Sequence, residues 1–182
     1  VSDTDDETHG GLDPAFSSRI PEGDDRERSV CDHCGFIAYS NPRIVTGSVA
    51  THDGKILLCK RAIEPRKGFW TLPAGYMENG ETVEEAARRE AMEEAEADLE
   101  IERVLAVYSI PRISQVQIMF RARLAKPHIG AGPESEAVAF FAWDDIPWDD
   151  LAFPTVYWAL RHFDEVRDRT DFPPFGNPVD GL

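Results

Sequence analysis

The stretch from Gly75 to Ala97, GYMENGETVEEAARREAMEEAEA, carries glutamates at positions 90, 93 and 94. At about 100° per residue, these three side chains fall within an arc of about 100° on one helix face. Val83, Ala86, Ala87 and Ala97 project into the same sector, whereas Glu84, Glu85, Arg88, Met92 and Glu96 lie mostly opposite, so the arc is the inward one. Three carboxylates on the apolar side of a helix repel one another and lose hydration, which calls for a positive charge among them. A hard divalent cation with oxygen ligands is the simplest candidate. Thr82 to Glu85 has the Thr-x-x-Glu form of a capping box, so the helix is expected to begin just after Gly80-Glu81.

The same stretch resembles the Nudix box, which reads Gly, five residues, Glu, seven residues, Arg-Glu, an apolar residue, any residue, Glu-Glu. The matching residues are Gly75, Glu81, Arg89, Glu90, Ala91, Glu93 and Glu94. The resemblance implies a Nudix hydrolase of α+β class, an α/β/α sandwich built on a mixed β-sheet. It also implies Mg²⁺ or Mn²⁺ held by Glu90, Glu93 and Glu94, with help from the backbone carbonyl of Gly75 in a loop that turns onto the helix. Glu96 stands where the family pattern has its final glycine, so the C-cap of the helix is the part of the match left open.

Within that resemblance Arg89 is a structural brace that grips Glu81 with its bidentate fork. Contact with substrate phosphate is the alternative, and its helical phase points away from Glu90. Glu90 suits either a general base or a metal ligand, and its residue type does not separate the two. The family often brings a further acid from a later loop, and Gly132-Pro133-Glu134-Ser135-Glu136 precedes a predicted strand at a suitable place. Glu136 is the first choice and Glu134 the second, which makes the expected catalytic set Glu90, Glu93, Glu94 and Glu136.

At 182 residues and 42% hydrophobic content the chain can bury one substantial core. The formal charge of -15 argues against a long nucleic acid as partner, because a phosphate backbone needs a basic footprint. Lysine occurs only at positions 55, 60, 67 and 126, an acid-rich and lysine-poor balance that resembles proteins of high-salt habitats. With no apolar stretch of membrane-spanning length and no secretory signal near Val1, the expected compartment is the cytoplasm and no membrane partner is expected.

Residues 1–29, rich in Asp, Glu, Gly, Ser and Pro, are expected to form a largely flexible acidic arm. Residues 30–42 hold the knuckle Cys31-Asp32-His33-Cys34, residues 43–170 the hydrolase domain, and residues 171–182 an irregular tail. Arg43 to His52 and Lys55 to Lys60 read as a hairpin about Asp53-Gly54, followed by a loop through Ala62 to Gly68. Leu99 to Ile110, Gln115 to Leu124 and Val138 to Trp143 read as further strands, and Pro154 to Arg169 as a closing helix. Cys59 lies in an apolar run, where a buried free thiol is the expected state.

The flanks sharpen the resemblance. Tyr39-Ser40-Asn41-Pro42, Arg61-Ala62-Ile63-Glu64-Pro65-Arg66, and Ile146-Pro147-Trp148 followed by Leu151-Ala152-Phe153 resemble zinc-ribbon Nudix proteins related to the ADP-ribose and FAD pyrophosphatases, over roughly residues 19 to 160. Such relatives carry a second cysteine pair upstream, and no Cys precedes Cys31 here. Two thiolates do not close a tetrahedral zinc site, so a metal-free remnant is expected at Cys31 and Cys34. Zinc would need His9, His33 or pairing across a homodimer. Arg66 and Phe69 are the candidate substrate-binding residues, a phosphate contact and a ring face, while Trp70 is expected to pack in the core. Ser109-Ile110-Pro111-Arg112-Ile113-Ser114 departs from the segment of the NADH-pyrophosphatase relatives, which disfavours NADH. The implied activity is metal-dependent hydrolysis of a nucleoside diphosphate linked to another moiety, ADP-ribose or FAD, to AMP and a phosphorylated product. The alternatives are a house-cleaning nucleoside triphosphate pyrophosphohydrolase and a non-catalytic Nudix-fold ligand sensor.

Overall fold

The computed structural model describes residues 15–179, and within them the chain folds as two units that meet at Asn41 and Pro42. The first unit is a three-stranded antiparallel sheet of β1 (Phe16–Arg19), β2 (Arg28–Cys31) and β3 (Ile37–Ala38). This corrects the expectation of a flexible arm through residue 29, for ordered pairing begins at Phe16, with Phe16 opposite Cys31 and Val30 opposite Ile37. A few apolar residues sufficed because polar contacts do the rest. Arg28 Nε donates to Asp24 at 2.8 Å across the turn, and its guanidinium lies 5.3 Å from the centre of the Tyr39 ring. The remainder of the expected arm, residues 1–14 with His9, lies outside the described residues.

The second unit opens with the hairpin of β4 (Arg43–His52) and β5 (Lys55–Arg61). Asp53 and Gly54 both take positive φ, 47° and 74°, the left-handed pair that a two-residue hairpin turn demands and Asp-Gly supplies at low cost. The strands pair at Thr51–Ile56 and His52–Lys55 and then part. Two short strands that the sequence reading missed enter the opening: β6 (Trp70–Thr71) pairs with β5, and β7 (Ala74–Tyr76) pairs with β4. Their brevity and the intervening Pro73 erase any period-2 signal.

Strands β8 (Leu99–Ile110), β9 (Gln115–Leu124) and β10 (Ser135–Phe141) complete a sheet ordered β10-β5-β4-β9-β8. The β4–β9 pair is parallel and the others antiparallel, so the sheet is mixed, as expected. Helices α1 (Val83–Ala95) and α2 (Pro154–Val166) pack against its two faces. Alternation along β5 sorts the core. Ile56 and Leu58 join Val49, Leu105 and the α2 residues Val156, Ala159 and Leu160, whereas Leu57 and Cys59 join Ala50, Ala122 and the α1 residues Ala91 and Ala95. A strand buried on both faces reads as a continuous apolar run, which is what Ile56 to Cys59 shows.

Helix α2 ends at Val166, three residues before the predicted end, where Arg121 Nη1 donates to the carbonyls of Val166 (3.0 Å) and Arg169 (2.8 Å). The tail is irregular and yet docked. Phe172 is buried, Phe175 exchanges backbone hydrogen bonds with Leu105 and Val107 at the β8 edge, and the Asn177 amide bonds both backbone groups of Ser109. Among the described residues no helix is long and apolar enough to cross a membrane.

Candidate active site

Helix α1 starts where its sequence says. Thr82 Oγ1 accepts from the Glu85 N–H at 3.2 Å while Glu85 Oε2 accepts from the Thr82 N–H at 2.8 Å, a complete capping box. It also ends cleanly, which settles the C-cap. Glu96 adopts the left-handed conformation (φ 48°, ψ 30°) despite its side chain, its N–H bonds the Met92 carbonyl, and the Ala97 N–H bonds the Ala91 carbonyl. Two further carbonyls at this end are met from a distant loop, by the N–H of Gly130 on Ala95 (2.9 Å) and of Gly132 on Glu94 (3.2 Å). Gly132 has no room for a side chain, since a methyl there would strike the backbone carbonyl oxygen of Glu93, whereas one at Gly130 would meet only the movable Glu96 carboxylate.

This docking decides which later acid reaches the helix. Glu134, two residues beyond Gly132, lines the same cleft as Glu90, Glu93 and Glu94, and its charge acts on Glu90 and Glu94. Glu136 does not line the cleft. It falls at the irregularity in β10 between Ser135 and Ala137, and its Oε2 lies 3.9 Å from Lys60 Nζ. Of the two expected acids it is thus the second choice, Glu134, that lines the cleft: a bulge changes which face a strand residue presents, and residue type carries no sign of it.

The three helix carboxylates are not equivalent. Glu90 and Glu94 are 8% and 7% exposed, whereas Glu93 sits at the solvent edge and does not share their burial. The Glu90 carboxylate lies directly over Gly75, leaving no space for a Cβ there. Gly75 itself is in strand β7, opposite Thr46, and not in the loop expected for it. Glu94 Oε2 accepts from the Ala74 N–H at 3.3 Å. Burial and the neighbouring Glu90 charge push the Glu94 carboxyl up to about 8, only partly opposed by that N–H. Burial also raises Glu90, against the pull of Arg89. Two carboxylates in a half-dry wall are costly when ionised and poorly provided with donors.

Arg89 holds much of this together. Nε and Nη2 grip both oxygens of Glu81 at 2.6 and 3.1 Å, Nη2 also donates to the Tyr76 carbonyl at 2.9 Å, and Nη1 donates to Glu90 Oε1 at 2.8 Å and Glu93 Oε2 at 3.0 Å. The long side chain thus reaches Glu90 although its Cα–Cβ direction points elsewhere, which corrects the phase argument. Its bonds, with one from the Glu78 N–H, hold the Glu81 carboxyl below its usual range.

The cleft measures about 1190 Å³. It is also lined by Ile110, Gln115, Gln117 and Met119 from β8 and β9, and by Phe153, Val156 and Trp158 at the start of α2. Arg61 and Arg112 also line it. Arg66 and Phe69 do not: Arg66 (φ 65°) places its guanidinium 4.8 Å from the Phe69 ring centre, so the two expected substrate contacts satisfy each other. Trp70 packs edge-on against Phe141 in the core, and the buried Cys59 thiol is pushed well above its usual range by desolvation.

Among the described residues, no three His, Cys, Asp or Glu side chains form a ready-made metal cage. The donor set nevertheless fits a hard divalent cation, for Glu90, Glu93, Glu94 and Glu134 line the same cleft, Glu90 and Glu94 are buried and raised by that burial, and the Arg89 guanidinium is already divided among Glu81, Glu90 and Glu93. In the first unit the described residues do not complete a zinc site. Cys31 is buried and Cys34 exposed, both free, with no third ligand beside them in the described residues. Asp32, between the two cysteines, is itself engaged: Ser17 Oγ donates to its Oδ1 at 2.6 Å and Arg19 Nη1 to the same oxygen at 3.3 Å.

Comparison with known proteins agrees with this geometry. Residues 41–163 match the model of the NUDIX domain, and residues 14–40 match that of the Nudix N-terminal zinc ribbon. An ADP-ribose pyrophosphatase of Methanocaldococcus jannaschii is 36% identical over 119 residues, spanning 63% of this chain and 69% of that protein. The NAD-capped RNA hydrolase NudC of Haemophilus influenzae is 38% identical over 66 residues, which is 35% of this chain and 25% of that protein. The crystal structure of a NUDIX hydrolase from Nitrosomonas europaea superposes with a TM-score of 0.85 at 43% identity, covering 90% of this chain and 93% of that one. With the box residues gathered at the split between β4 and β5, and with both parts of the chain matched, this protein belongs to the Nudix hydrolase family.

Proposed function

We propose that this chain is a divalent-cation-dependent pyrophosphohydrolase of nucleoside diphosphates linked to a second moiety, with ADP-ribose or FAD as substrate. The observation that carries the reading is the pair of buried, burial-raised carboxylates Glu90 and Glu94, facing a cleft large enough for both halves of such a molecule. The similarity to a protein named ADP-ribose pyrophosphatase supports the choice of substrate.

Glu90, Glu93 and Glu94 would hold Mg²⁺ or Mn²⁺, with the Gly75 carbonyl as a further oxygen. The cation supplies charge neutralisation on phosphoryl oxygens and polarisation of a water. The chain's own residues do the rest. Arg89 keeps the carboxylates registered against β7, Arg61 and Arg112 offset an otherwise acidic cleft for an anionic substrate, and Glu134 takes the proton of the attacking water. The products would be AMP with ribose 5-phosphate, or AMP with FMN.

A substrate panel tests the reading: ADP-ribose, FAD, NADH and nucleoside triphosphates with Mg²⁺ or Mn²⁺ in low and high salt, products separated by chromatography. ADP-ribose or FAD should give AMP at the highest kcat/KM, and Glu93→Gln or Glu94→Gln should remove most turnover. Triphosphates cleaved at least about tenfold better, about 1.4 kcal/mol in transition-state binding, would move the assignment to a triphosphate hydrolase. Nucleotide binding without any turnover would leave a ligand sensor.

A further inference from the structure

Part of the cleft has no task in the chemistry just described. Gln115 and Gln117 are two residues apart on β9 and so face the same side of the sheet, and both line the cleft. They form a directed row. Gln115 Nε2 donates to the Tyr76 hydroxyl at 2.9 Å, which also accepts from Arg43 Nη1 at 3.3 Å, and Gln117 Nε2 donates to Gln115 Oε1 at 3.3 Å. Gln117 therefore spends one N–H on the row and keeps its carbonyl oxygen and its second N–H. An amide so placed presents one acceptor beside one donor.

An aromatic face stands next to it. Gln117 is the cross-strand partner of Tyr108 on β8, and the Tyr108 ring lies edge-on to the cleft-lining Trp158, with centroids 5.4 Å apart at 76°. Tyr108 is in turn fixed from behind. Its hydroxyl lies 2.7 Å from His162 Nδ1, and the His162 ring stacks on Phe175 at 4.2 Å and 3°. Three elements, β9, β8 and α2, thereby hold an amide and an indole in a set relation on one wall.

We propose that this wall is a nucleobase subsite that selects adenine, with Gln117 reading the base edge and Trp158 supplying the stacking face. The inference rests on the pyrophosphohydrolase reading for its substrate class. An adenine edge offers an exocyclic N–H beside a ring-nitrogen acceptor, complementary to the free oxygen and N–H of Gln117. On the edge that carries N7, guanine offers two acceptors, N7 and O6, and on its other edge O6 takes the place of the adenine amino group, so with the Gln117 amide held in one orientation its carbonyl would face an oxygen. The Tyr76–Gln115 row matters because it sets which way the Gln117 amide points.

The test compares ADP-ribose with its guanosine counterpart, GDP-ribose, for the wild type and for Gln117→Leu and Trp158→Leu. The wild type should favour the adenine compound by at least about tenfold in kcat/KM. Gln117→Leu should shrink that ratio to about threefold or less, with the loss in KM and not in kcat, and Trp158→Leu should raise KM for both compounds alike. A guanine preference, or a ratio unmoved by Gln117→Leu, overturns the subsite. Calorimetric binding of AMP and GMP to the wild type serves as the second measurement. If neither sugar compound nor FAD is cleaved, the pyrophosphohydrolase reading fails, while AMP binding at least about tenfold tighter than GMP still supports the subsite and a smaller or reversed difference rejects it.

Discussion

The Gly132 N–H donates to the carbonyl of Glu94 at 3.2 Å, so the segment bearing Glu134 hangs from the end of the helix that bears the other carboxylates. A side chain at Gly132 has nowhere to go. Gly132→Ala should therefore lower kcat by about tenfold or more and destabilise the fold by about 1–3 kcal/mol, the usual range for overpacking. Steady-state kinetics and thermal melts of one preparation check both. An unchanged kcat would show that this docking does not position Glu134.

The two candidate loop acids separate by mutation. Glu134→Gln should cost about a hundredfold or more in kcat if Glu134 takes the water's proton. Glu136→Gln, which alters only a 3.9 Å contact with Lys60 outside the cleft, should stay within about twofold of the wild type. The opposite ranking would restore Glu136.

Glu94 makes the stability of chelator-treated protein depend on pH in an uncommon direction. Its folded pKa of about 8 lies above the ordinary value of 4.5, so across that window the folded state binds more protons than the unfolded state. Its contribution is complete below pH 4.5 and is lost as pH rises through 8. Glu94→Gln should flatten this fall and, in chelator at high pH, melt above the wild type. Added Mg²⁺ should then stabilise the wild type and not the variant. Melting curves from pH 5 to 9 that run parallel for both proteins would refute the assignment.

At the helix end, Glu96 holds a left-handed backbone at φ 48°. Glu96→Gly relieves a cost on the order of 1 kcal/mol, less the few tenths that an exposed contact with His128 contributes. A small rise in Tm with activity unchanged is expected. A fall in Tm would mean that the His128 contact outweighs the backbone term.

In the first unit, purified protein should carry well under one zinc per chain, and Cys31→Ser combined with Cys34→Ser should leave the hydrolase domain folded. Metal analysis and melting with and without chelator decide this. One tightly held zinc whose removal unfolds the protein would require ligands beyond Cys31 and Cys34.

Much of the fold was legible because short-range rules sufficed. Asp53-Gly54 marks its hairpin, Thr82 and Glu85 mark the start of α1, and the apolar run of β5 marks a strand buried on both faces. Strands β6 and β7 were not legible, since two or three residues around Pro73 carry no period. The first unit was misread because Phe16, Val30 and Ile37 are too few to register as a core, although strand pairing and the Arg28 contacts order them.

The box residues and the helix that gathers them were thus determined by sequence, because i, i+3 and i+4 spacing on a helix is a local property. Tertiary structure decided the rest. It buried Glu90 and Glu94 while leaving Glu93 at the edge, brought Glu134 in place of Glu136, and turned Arg66 onto Phe69 and away from the cleft. Each of these depends on where a neighbouring element's backbone lies, at Gly75, at Gly132 or at the irregularity after Ser135, and no local spacing encodes that distance.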